Sequence, residues 1–66
     1  MKANKTRLEM AMARECMNVH DIALIAGMPE QSVKNVLYGR SVKPRTLGKV
    51  CKALGIDPGE IIEMEA

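Results

Sequence analysis

The sequence predicts an all-α fold, a compact bundle of five short helices, and three observations carry that prediction. Apolar residues recur at helical spacing: Val19, Ile22, Ala23 and Ala26 fall at i, i+3, i+4 and i+7. Aromatic residues make up 2% of the chain, Tyr38 alone, so the core must come from Leu, Ile, Val, Met and Ala, which suits helices better than sheets. Gly27 and Gly55 each close an apolar-periodic segment, and a helix end readily takes the left-handed conformation that glycine permits.

At 66 residues the chain reads as one domain, 1–66, whose core is marginal unless the helices pack closely or a second subunit adds buried surface. It has no room for a separate catalytic domain. For the first helix, Thr6-Arg7-Leu8-Glu9 has the form of a capping box, although Asn4 can equally start it. Leu8, Met12, Ala13 and Cys16 then mark its apolar stripe, and Met10, Met12 and Met17 read as flexible core filler.

Asn18 suits the N-cap of a second helix, with Asp21 at its third position, where a carboxylate meets the helix dipole favourably. Leu24 and Ile25 exceed what one buried stripe needs, so one of them reads as exposed. After Gly27 and Met28, Pro29 fits a helix entry because its missing N–H has no intrahelical partner there. The third helix, Glu30–Tyr38, turns Val33, Val36 and Leu37 inward and leaves Gln31, Ser32, Lys34, Asn35 and Tyr38 off that stripe. Its polar side carries amides and hydroxyls that give and accept hydrogen bonds, as reading base edges in a major groove requires.

Arg40–Arg45 is a basic loop stiffened by Pro44. A helix over Thr46–Leu54 puts Leu47, Val50, Cys51 and Leu54 inward and ends at Gly55. Asp57-Pro58-Gly59-Glu60 sets a new N-cap, Ile61 and Ile62 begin a short last helix, and 63–66 is an acidic tail.

The formal net charge of +2 does not by itself establish a nucleic-acid partner. The distribution says more: Lys34, Arg40, Lys43, Arg45, Lys49 and Lys52 fall within nineteen positions that hold no acid, whereas Glu60, Glu63 and Glu65 crowd the end. Cys16 and Cys51 match no metal or redox spacing and read as small core hydrophobes of a reducing cytosol. His20, the only histidine, has no second ligand near it and faces solvent, so no metal site is expected. No apolar run is long enough for a membrane span or a signal peptide, and a cytoplasmic protein is expected.

The order and spacing of Asn18, Ile22, Ala23, Gly27, Val33, Val36, Gly39 and Pro44, with the closing ALGIDPGEII, resemble the Cro and phage-repressor (XRE) family of helix-turn-helix domains over about Asn4 to Ile62. The resemblance implies a phage-repressor-like bundle whose helix-turn-helix, about 19–38, is formed by helices 2 and 3, with double-stranded DNA as partner. It places Glu30, Gln31, Ser32 and Asn35 at base-contacting positions. Asn18, Lys34, Arg40, Lys43, Arg45 and Thr46, with the amides near it, take phosphate-contacting ones. Homodimerisation is implied too, with Ile56, Ile61, Ile62 and Met64 as candidate contacts and half-sites about 34 Å apart. Three departures stand out: Glu30 would repel a nearby phosphate, Pro29 replaces a Ser or Thr cap, and Met12 and Leu37 occupy the places of an Arg–Glu pair common in the family.

These readings converge on a sequence-specific transcriptional regulator, a repressor that needs no cofactor. The alternative is an antitoxin or mobile-element accessory factor acting through a protein partner, motivated by Leu24, Ile25, Ile62 and Met64. No nucleophile–base pair, phosphate-binding Gly loop or metal cluster supports an enzyme.

Overall fold

Asn4 begins the first helix: its side chain accepts from the Arg7 backbone N–H at 3.0 Å, capping one of the donors that a helix start leaves without a partner. In the computed structural model, which describes residues 2–62, α1 runs Lys5–Arg14, α2 Val19–Ala26, α3 Glu30–Leu37 and α4 Pro44–Leu54, followed by a 3-10 turn at Pro58–Glu60. Thr6 therefore lies inside α1 and caps nothing. The stripe of α1 also differs from the expectation: Leu8 and Ala11 are buried and Met12 half-buried, while Ala13 and Cys16 face solvent. Cys16 has a φ of 54°, in the left-handed region, because the chain reverses directly after Arg14. That bend turns its thiol off the helix face that α1 buries.

α2 and α3 form as their residues dictate. Asn18 Oδ1 accepts from the Asp21 N–H at 2.9 Å while Asp21 Oδ2 accepts from the Asn18 N–H at 3.0 Å, a reciprocal cap. Gly27 ends α2 at φ 68°, a conformation that would strain any residue with a Cβ. Pro29 opens α3 without a side-chain cap, and Tyr38 stands just past its end.

α4 starts at Pro44 and not at Thr46. Proline at the first helical position has no N–H to leave orphaned, and the Lys43 carbonyl accepts from Thr46 and Leu47, at 3.0 and 3.1 Å. The fifth helix is a single 3-10 turn. Asp57 and Glu60 do form the expected reciprocal cap, but the Ile61 carbonyl is taken by the Asn4 N–H at 2.6 Å, and Ala3 and Ile62 form an antiparallel bridge. A carbonyl held by another segment cannot extend a helix.

The core gathers residues from all four α-helices: Leu8 and Ala11, Ile22 and Ala23, Val33 and Val36, then Leu47, Val50, Cys51 and Leu54, with Ala3 and Ile61 closing it. α2 packs on both α3 and α4, and α1 reaches α3. Met12 and Leu37 pack half-buried against this core, as apolar residues with no ion pair between them.

Candidate nucleic-acid interface

With Val33 and Val36 held inward, the opposite side of α3 is set by the helix repeat. Gln31 and Asn35, four residues apart, meet there: Gln31 Nε2 donates to Asn35 Oδ1 at 3.2 Å. The Arg40 guanidinium donates to the same oxygen at 3.3 Å, joining a predicted phosphate contact to two predicted base contacts. Asn35 Oδ1 thus accepts twice, and its Nδ2 is left to donate. Gln31 keeps Oε1 and a second N–H, the acceptor and donor that the N6 and N7 edge of adenine calls for.

The other two base-contacting candidates differ. Glu30 is exposed at the first position of α3, and His20 Nδ1 lies 3.4 Å from its Oε2, linking the starts of α2 and α3. Ser32 is half-buried.

Among the phosphate-contacting candidates, Lys34, Lys43 and Arg45 are exposed. Asn18 is exposed too, but its Oδ1 and backbone N–H are both engaged in the α2 cap. Thr46 is half-buried and its backbone N–H bonds Lys43, so that amide is closed to a phosphate. None of Lys34, Arg40, Lys43, Arg45, Lys49 and Lys52 pairs with a carboxylate among the described residues. Their charge is uncompensated, which is the condition for attracting a polyanion.

The dimer candidates separate. Ile61 is 1% exposed and belongs to the core of its own chain, which removes it from any surface. Ile56 and Ile62 are half-buried, and Met64 lies outside the described residues. Two features had no local signal in the sequence. Lys5 Nζ stands 5.8 Å from the Tyr38 ring centre, bringing a cation from the start of α1 to the end of α3. His20 meets Glu30 across ten positions, a pairing that only the packing of α2 on α3 produces. Among the described residues no group of His, Cys, Asp and Glu could hold a metal ion, and no helix is long and apolar enough to cross a membrane.

The solved structures similar to this chain include a PhpD structure with cadmium atoms, at TM-score 0.81 and 18% identity, covering 100% of this chain and 14% of that one. PhpD with cadmium complexed with hydroethylphosphonate gives TM-score 0.80 at 18% identity and the same coverage of 100% and 14%. The chain thus spans about one seventh of the length of those proteins, and at that identity the likeness shows the fold alone. No curated protein matches the chain in sequence. The Cro/C1-type HTH DNA-binding domain, as a family, matches residues 7–66, which takes in all of α2, α3 and α4. With a tight helix pair inside that match, the chain belongs to the Cro/C1-type helix-turn-helix DNA-binding family.

Proposed function

We propose that the chain, as a single domain over 1–66, is a sequence-specific transcriptional regulator that enters the major groove with α3 and represses by occupying its operator. The observation that carries this reading is the pair Gln31–Asn35 on the face of α3 opposite Val33 and Val36, extended into a hydrogen-bonded row by Arg40 from beyond the helix end. Gln31 reads adenine, Asn35 donates to a base acceptor, and Arg40 ties both to the phosphate track. Lys34, Lys43 and Arg45 hold phosphates, and Asn18 and Thr46 contribute through their remaining side-chain donors. Glu30 accepts from cytosine N4, and Ser32 lines the same edge. Two copies act on a two-fold operator in the cytoplasm, without cofactor and without catalysis.

Selection from a random duplex library checks this. Wild-type protein is expected to enrich an inverted repeat. Gln31→Ala and Asn35→Ala should each weaken binding by about 1–3 kcal/mol and relax preference at separate base positions. An unchanged preference in both variants would remove base reading from α3. Enrichment of no sequence, with binding lost steeply as salt rises, would leave phosphate contact alone.

A second reading, an accessory factor or antitoxin working through a protein partner, is favoured by Leu24 and Ile25, which are 69% and 59% exposed side by side on α2.

A further inference from the structure

The C-terminal half of α2 and the middle of α4 border an open cleft lined by Ile25, Ala26, Lys49, Lys52 and Ala53. Lys49 and Lys52, three residues apart on α4, put two ammonium groups on one face. No acidic side chain lines the cleft, and neither lysine has a carboxylate partner among the described residues. A segment complementary to it carries an apolar side chain between two carboxylates.

The chain itself contains such a segment. Beyond Ile62 the sequence continues Glu63-Met64-Glu65-Ala66, an unbranched apolar residue flanked by acids. Methionine adapts to irregular apolar recesses better than a branched side chain does. We propose that residues 63–66 of a second copy dock in this cleft, Met64 against Ile25, Ala26 and Ala53, and Glu63 and Glu65 at Lys49 and Lys52. Two copies exchange these segments about a twofold axis, so every contact is made twice. The inference rests on the homodimer reading above and names the surface that reading lacks. Ion pairs at an exposed rim are individually weak and screened by salt, so the free dimer is weak and salt-sensitive. A shared operator raises the effective concentration and consolidates it.

Charge reversal on the full chain tests the exchange by sedimentation equilibrium, with circular dichroism to verify that each variant is folded. Lys49→Glu with Lys52→Glu gives a chain with an acidic cleft and an acidic tail. Glu63→Lys with Glu65→Lys gives a basic cleft and a basic tail. Each double variant alone is expected to self-associate about tenfold more weakly than wild type or worse. An equal mixture of the two is expected to recover wild-type association, because both cleft–tail contacts are then complementary. Raising salt from about 50 to 500 mM should weaken the wild-type dimer.

Failure of the mixture to recover association overturns the exchange, since docking within one chain would be blind to mixing. Self-association that neither reversal changes overturns it as well, while leaving a homodimer through another surface. A wild-type protein that stays monomeric at low salt and at the highest concentrations reached, yet binds an inverted repeat as two copies, overturns the exchange and leaves the regulator standing. A monomer that selects no repeat removes the homodimer reading too.

Discussion

Cys51 and Cys16 show how far a residue's fate is decided by where the chain puts it. Both read as small core hydrophobes; Cys51 is buried, and Cys16 is exposed at a left-handed bend. Burial pushes the Cys51 thiol up to about 11, with the carboxylates of Asp57 and Glu60 adding to the shift. Its ordinary value is 9.0, so below pH 9 the thiol is neutral in both folded and unfolded chains and contributes no pH dependence. Between about pH 9 and 11 the unfolded chain loses the proton first, and stability falls as pH rises through that window. Urea melts from pH 8 to 11 are expected to show a loss of about 2 kcal/mol. Cys51→Ala, less stable throughout because it leaves a small cavity, should decline less steeply; an equal slope would mean that the thiol is not the titrating group. Glu30 is the other instructive residue. The resemblance put its carboxylate where it would repel a nearby phosphate, and the fold sets His20 beside it.

At the scale of elements, end signals were the most legible part. Asn18, Gly27, Gly55 and Asp57 act as their chemistry demands, since a cap is a bond between residues two to four apart and needs nothing from the rest of the molecule. Asn18→Ala should lower stability by about 1 kcal/mol and the thermal midpoint by about 4–8 °C, with Asn18→Ser recovering most of it. Thermal melts followed by circular dichroism check this, and an unchanged midpoint would show that packing alone sets the start of α2. Two element readings needed revision. Pro44 could stiffen a loop or open a helix, and the Lys43 carbonyl, which accepts from the Thr46 and Leu47 N–H groups, marks the helix start. Ile61 and Ile62 looked like the start of a helix, yet after the 3-10 turn they pair with Ala3 and Asn4.

Over the whole molecule, that contact between the two ends of the described chain closes the core. Ile61→Ala is expected to cost about 2–4 kcal/mol, much of the stability of so small a domain, whereas Ile62→Ala should cost clearly less. Denaturant titration of both variants distinguishes a core role for Ile61 from the dimer contact that the sequence suggested, which would shift self-association and spare the monomer. The polar face of α3 shows the same division. The sequence by itself determined that α3 is amphipathic and that Gln31 and Asn35 share its polar side, because a period of 3.6 residues places side chains without reference to any partner. It determined the basic stretch and the family as well. Only the tertiary structure decided that Arg40 joins Gln31 and Asn35 in one row, that His20 meets Glu30, that Lys5 reaches Tyr38, and that Lys49 and Lys52 border a cleft with Ile25. Most of these contacts join residues from different elements, and the Arg40 bond depends on where the chain turns after α3. They are set by how the helices pack and turn, to which the local periodicity of the sequence carries no signal.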